Sequence, residues 1–123
     1  IEVDESLIKY CSHGGMIYEE IELAIKDLMA QQEKPDAIFV GGDRICNGCL
    51  TVLKKLNISN IALAGFSNSD VLDLFSPSLT SVRQPAFEIG QLATEMLLQL
   101  IEAKYPVQEF ENKILPTNLF VRS

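Results

Sequence analysis

Pro35-Asp36-Ala37-Ile38-Phe39-Val40-Gly41-Gly42-Asp43 is a helix-breaking proline, four consecutive apolar residues, a glycine pair and an acid. Proline ends whatever precedes it. The four apolar residues are too few for a helix and carry no polar alternation, as in a strand buried on both faces. The glycine pair turns the chain, and Asp43 is placed to cap a helix running to about Leu56. Ile45, Cys49, Val52, Leu53 and Leu56 recur on one side of that helix, and Asn57 suits its carboxy-terminal stop.

The same alternation extends in both directions. Upstream, residues 16–32 place Ile21, Ala24, Ile25, Leu28 and Met29 at helical spacing, and residues 7–11 read as a strand. Downstream, residues 61–66 form a second buried strand and 67–70 a polar turn. Residues 71–75 read as a short helix ended by Pro77, and 79–82 as another strand. Pro85 opens a long helix carrying Ile89, Leu92, Ala93, Met96, Leu97, Leu100 and Ile101, with Pro106 beyond its end. Residues 114–121 close as an extended segment that Pro116 confines to an edge or a kink. Apolar strands alternating with amphipathic helices predict an α/β fold with a parallel, doubly wound sheet in three α/β/α layers. Ligands bind such sheets at the carboxyl ends of the strands. The stretches to watch are therefore 11–15, 41–44, 67–70 and 83–86.

The 123 residues carry 47% hydrophobic and 22% charged residues, an ordinary globular composition sufficient for one domain with a real core. No apolar run approaches the roughly 18 residues of a membrane helix. Ten basic residues against seventeen acidic ones, net −7, do not supply a phosphate-binding surface, so this chain is not expected to bind nucleic acid itself. Its acidic start lacks the basic opening of a signal peptide. With no initiator Met, the chain is expected to be a piece of a longer protein. Three cysteines cannot complete a disulfide framework, which points to a reducing, cytoplasmic setting.

Cys46-Asn47-Gly48-Cys49 is a CxxC pair, and Cys11 with His13 could approach it. A metal-binding or thiol-redox domain is therefore the alternative reading. Against it, the pair falls inside a helix, a turn late for activation by the helix N-terminus, and buried cysteines also serve as small core residues. No nucleophile elbow, Walker loop or GxGxxG is present. A phosphoacceptor receiver would need acids after the first strand, where Cys11-Ser12-His13-Gly14-Gly15 stands. The chain is not expected to be an enzyme, and no cofactor or metal is expected.

Four stretches carry a resemblance. Residues 34–50 (KPDAIFVGGDRICNGCL), 61–69 (IALAGFSNS), 79–93 (LTSVRQPAFEIGQLA) and 115–122 (LPTNLFVR) follow one another in the order seen in the effector domain of the LacI/GalR family of transcriptional regulators. The resemblance covers nearly the whole chain. It implies a periplasmic-binding-protein-like lobe: residues 1–123 as the carboxy-terminal subdomain, including a crossover at 79–103 that normally joins the amino-terminal lobe. It further implies a small effector, sugar or nucleoside-like, held between two lobes, and operator DNA contacted only through a helix-turn-helix outside this chain.

By the resemblance, Gly42, Asp43, Arg44, Ser67, Asn68, Gln84 and Ala86 are the candidate effector contacts, with Tyr18, Met16 or His13 near an aromatic platform. Gly42 stands where the family usually has Asn, and Ser67 where it usually has Asp, so two strong hydroxyl-gripping side chains are missing. Arg44 could pair with a carboxylate or phosphate. Structural roles compete: Asp43 as a cap, Arg44 as a solvated residue, Asn68 as a turn former, Gln84 as a structural hydrogen-bonding residue. A homodimer is expected through Asn47, Leu50, Thr51, Val71, Leu74 and Phe75, although Leu74 and Phe75 could instead close the core. The helix after Pro85 needs some partner for its apolar stripe.

Overall fold

The computed structural model describes residues 2–105 and 110–122; Pro106 lies outside the described residues. The chain divides into two compact units: Ile1–Arg83 with Leu119–Ser123, and Gln84–Asn118.

The first unit is built on a sheet in the order β1 (Ala37–Val40), β2 (Ala62–Phe66), β3 (Leu79–Arg83), β4 (Asn118–Phe120). β1–β2 and β2–β3 are parallel, with Ala37 opposite Ala62 and Leu63 opposite Leu79. The parallel reading of the apolar runs therefore holds. Register puts Ile38, Val40, Leu63, Gly65, Leu79 and Ser81 on one face. Val40, Leu63, Leu79 and Ser81 are buried there. The helices α1 (Tyr18–Ala30) and α2 (Asp43–Lys55) complete this core through Ile21, Ile25, Cys46, Cys49, Leu50, Val52 and Leu53. Each such aliphatic side chain contributes about 1.5–3 kcal/mol on leaving water. On the opposite face of this unit, Ala37, Phe39 and Ala62 are exposed, and Phe39 meets Phe66 edge-to-face at 6.0 Å.

Two glycines permit the tight contacts. A Cβ on Gly65 would lie 2.5 Å from the Val40 carbonyl oxygen and 2.9 Å from Cys46 Sγ. A Cβ on Gly48 would collide with Ile21 Cδ1, so its absence lets α1 and α2 approach. α2 ends as expected: Asn57 adopts φ 54°, and Ile58 N–H donates to Leu53 O at 2.9 Å while Asn57 N–H donates to Lys54 O at 3.1 Å. That is the paired bond pattern of a left-handed helix stop.

Several local expectations fail for identifiable reasons. Residues 7–11 join no strand ladder. Instead Asp4 caps a 3-10 turn, Glu5–Leu7, by accepting from Ser6 N–H at 2.9 Å, and this draws Leu7 out of an extended path. The helix expected at 71–75 is a 3-10 turn, Leu72–Leu74. Asp43 is not the cap of α2. Gly42 holds that position in extended geometry, and Asp43 begins the helix with its carboxylate turned toward another loop.

The second unit contains α3 (Ala86–Glu102), with Pro85 at its cap rather than in its first turn. Ile89, Leu92 and Met96 of α3 share a hollow of about 460 Å³ with residues 111–115 and Thr117. α3 buries none of its residues within the chain as described; Phe87, Leu97, Leu98 and Ile101 are exposed.

Candidate functional site

Parallel strands deliver their following loops to one edge of a sheet. In the first unit those loops are tied to one another. The loop after residues 7–11 turns at Gly14 (φ 59°) and Gly15 (φ 83°), and Gly15 abuts the first turn of α2: its Cβ would come within 2.9 Å of Ile45 Cγ1. The turn is latched by Glu20 of α1, which accepts from His13 N–H at 3.3 Å and from His13 Nδ1 at 2.8 Å. This hydrogen bond to His13 holds the Glu20 carboxyl below the usual glutamate range.

The loop after β1 leads into α2 through Gly42, and the space around Gly41 and Gly42 is open. Asp43 Oδ1 accepts from the hydroxyl of Ser67, the first residue after β2. Ser67 is 2% exposed, and its Oγ in turn accepts from Ser69 N–H at 3.2 Å. Ser69 Oγ accepts from Val71 N–H at 3.4 Å, continuing the turn. Arg83, the last residue of β3, donates through Nη2 to Ser69 O at 3.0 Å and to Asp70 Oδ1 at 2.7 Å. Its guanidinium carbon lies 5.1 Å from the Phe120 ring centre, and that of Arg122 lies 5.8 Å from the same centre. Residues 13–15, 42–45, 67–70 and 83 thus form a connected rim at the carboxyl ends of the strands.

The rim collects Gly42, Asp43, Arg44, Ser67 and Asn68. Arg44 and Asn68 are exposed, Gly42 is half-buried, and Ser67 faces inward as a strut. Gln84 and Ala86 belong to the second unit, where both are exposed and Ala86 N–H donates to Gln84 O at 2.8 Å. Tyr18 is not on the rim. Its ring packs on the core and faces Lys55 Nζ at 5.7 Å, at the last turn of α2, roughly 18 Å along that helix from Asp43. Gly15 and Arg83 fall within the marked stretches 11–15 and 83–86, although neither was named as an effector contact; Arg83 is a cation ending a strand beside an acidic turn, and Gly15 half of a Gly-Gly pair.

Of the expected dimer contacts, Leu50 is 1% exposed and lies in the core, and Phe75 packs against the core. Asn47 and Thr51 are exposed, with Thr51 Oγ1 donating to Asn47 O at 2.8 Å. Val71 is 50% and Leu74 83% exposed.

The cysteines do not form a reactive centre. Burial pushes the Cys46 thiol up to about 11, with Asp43 adding to it, and Cys49 up to about 12, with Cys46 and Cys11 adding. Cys46 Sγ donates to Phe66 O at 3.3 Å. Both side chains fill core volume, and burial also raises Cys11. Thiolate chemistry needs the opposite, an electropositive and partly open setting. Among the described residues no three His, Cys, Asp or Glu side chains are placed to share a metal ion. Among them, too, no helix is long and apolar enough to cross a membrane.

Residues 5–123 match the family model of the periplasmic binding protein-like domain. The chain is 31% identical over 84 residues to the HTH-type transcriptional repressor PurR of Edwardsiella ictaluri, covering 66% of this chain and 25% of that protein. It superposes on a crystal structure from Staphylococcus saprophyticus, described as a candidate transcription regulator, with TM-score 0.79 and 25% identity, over 99% of this chain and 44% of the other. It also superposes on the transcriptional regulator CelR in complex with cellobiose, with TM-score 0.74 and 28% identity, over 98% of this chain and 36% of the other. The chain spans about a quarter of the length of the curated relatives it matches. It belongs to the periplasmic binding protein-like domain family, in the form carried by LacI-type transcriptional regulators.

Proposed function

We propose that this chain is the carboxy-terminal effector-sensing lobe of a LacI-type transcriptional regulator, with residues 79–103 as a crossover toward a second lobe. One observation carries the reading: the loops after β1, β2 and β3 are hydrogen-bonded into a single rim, Asp43 to Ser67 and Arg83 to Ser69 and Asp70, with the Gly14–Gly15 turn packed against the start of α2. A rim of this kind is where α/β sheets take ligands. Its open glycine stretch at 41–42 and the exposed Arg44 and Asn68 are the contacts proposed for a sugar or nucleoside-like effector. The cellobiose held by the CelR regulator supports the sugar class.

The regulator works by differential affinity. Effector binding favours one arrangement of the lobes, and that bias reaches operator DNA through a helix-turn-helix outside this chain. Val71 and Leu74, with Asn47 and Thr51, are the proposed homodimer surface. The setting is cytoplasmic and the role is not enzymatic, in keeping with the transcriptional repressors among its relatives. The deciding experiment is a thermal-shift screen of cellobiose, other sugars, sugar acids and nucleosides on the full-length regulator. A saturable stabilisation that Arg44→Ala and Asn68→Ala both weaken is expected. Stabilisation by no member of these classes would overturn the effector reading.

A further inference from the structure

We propose that Arg83 is a positioning residue: it ties the loop after β2, residues 67–70, to the two strand ends where the chain passes out of the first unit and back into it. The chain leaves that unit after Arg83 and re-enters it at Leu119. Arg83 ends β3, and Phe120 lies in β4, next to the re-entry. The Arg83 guanidinium carbon stands 5.1 Å from the Phe120 ring centre, while Nη2 donates to Ser69 O at 3.0 Å and to Asp70 Oδ1 at 2.7 Å. One flat side chain thus joins three segments that are distant in sequence.

This placement is not the one that best satisfies Arg83 itself. Its Nε is buried with no acceptor among the described residues. A buried donor left unpaired is unfavourable, so the guanidinium plane is set by the ring and the loop. Nor does the ion pair account for it, since the Asp70 side chain is 87% exposed and exposed pairs stabilise little. What the contacts supply is direction. A planar fork can lie on an aromatic face while it holds a carbonyl and a carboxylate, which a lysine ammonium does not reproduce. The ring is itself anchored. Arg122 donates through Nη1 to Leu79 O at 3.2 Å and to Ser81 Oγ at 2.9 Å, and its backbone N–H donates to Thr80 Oγ1 at 3.0 Å. The end of β4 is therefore fixed to β3, and Phe120 gives Arg83 a steady surface. The loop so held carries Ser67, the strut to Asp43, and Asn68. The bearing of the clasp on effector binding rests on the reading above; the positioning itself does not.

The test is hydrogen–deuterium exchange on peptides of the full-length regulator with no effector added, so this proposal and the effector reading can fail separately. Residues 67–72 should exchange at least roughly fivefold faster in Arg83→Gln, as on losing a hydrogen bond of ordinary strength, while α2 keeps its rate. Phe120→Leu leaves the loop's own side chains untouched, yet should speed the same peptide. In the double variant the two effects should not multiply, because both act through the guanidinium. Arg83→Lys, which keeps the charge but not the flat fork, should recover only part of the protection. Should Phe120→Leu fail to fold, Asp70→Asn reads the same coupling from the side of the loop. Unchanged exchange at 67–72 in Arg83→Gln would overturn the proposal. So would effects that multiply as for independent sites, full recovery by lysine, or an equal rise in α2, which would mark a general loss of stability instead.

Discussion

The hydroxyl of Ser67 donates to the carboxylate of Asp43, joining the residue that follows β2 to the residue that opens α2. Because Ser67 is 2% exposed, this bond acts as a strut between two loops rather than as a surface open to a ligand. Ser67→Ala should cost about 1–3 kcal/mol, as for a hydrogen bond to a charged group in a part-buried setting. Ser67→Asp should cost more at neutral pH, since it sets two carboxylates against each other, and should regain part of the loss as the pH falls into the carboxylate range. Urea unfolding at pH 7 and pH 5 measures both. A silent Ser67→Ala would remove the strut.

Leu72 and Leu74 stand two positions apart in one 3-10 turn with opposite fates: Leu72 is 0% exposed and Leu74 is 83% exposed. Leu72→Ala should cost about 2–5 kcal/mol as a core truncation. Leu74→Ser should change stability by less than about 0.5 kcal/mol, as an exposed substitution does. If Leu74 belongs to a homodimer contact, the same change should weaken self-association of the full-length regulator in sedimentation runs.

Thiol chemistry separates core cysteines from active ones. At pH 8, Ellman's reagent should leave Cys46 and Cys49 unreacted in the folded chain and label all three cysteines after unfolding. A rapid native reaction at either position would restore the redox reading. Both thiols are raised by burial, so the unfolded chain loses their protons first. Their contribution is complete below the ordinary thiol pKa of about 8.5 and declines as pH rises above it. Stability should therefore fall on the alkaline side, and Cys49→Ala should flatten that limb.

The acid limb has the opposite origin. Glu20 is lowered chiefly by its hydrogen bond to His13, and Glu22 by Lys26 and then Lys55. A carboxyl depressed in the folded state contributes above its unfolded pKa, about 4.3, and loses that contribution as pH falls through the folded value. Urea midpoints should thus decline below about pH 4.3. Glu20→Gln and Glu22→Gln should each make the decline shallower. An unchanged acid limb in both variants would assign it to other groups.

Much of the architecture was legible because it is local and periodic. The apolar run 37–40, the helical spacing from Ile45 to Leu56 and the left-handed stop at Asn57 each follow from a handful of neighbouring residues, and each was found where expected. The strand-end loops followed once the strands were parallel. Residues 7–11 were misread because an extended apolar stretch is a strand only if a neighbour accepts its hydrogen bonds, and Asp4 offers the chain a turn instead. Tyr18 was named by the resemblance, with Met16 or His13 as alternatives; its ring faces Lys55, while His13 lies in the rim, because a short sequence window does not say which end of another helix a side chain will meet.

By itself, the order of side chains determined the elements, their alternation and the family, since these depend on periodicity and turn chemistry within short windows. Only the tertiary structure decided that Asp43 reaches to Ser67 instead of capping α2, that Arg83 clasps the Ser69–Asp70 turn, and that Leu50 turns inward while Leu74 turns out. Those outcomes are contacts between residues 13 to 24 positions apart, or the direction a helix face takes. Such choices are settled by which packing satisfies the most buried polar groups at once, a condition imposed by the whole core and by no single segment.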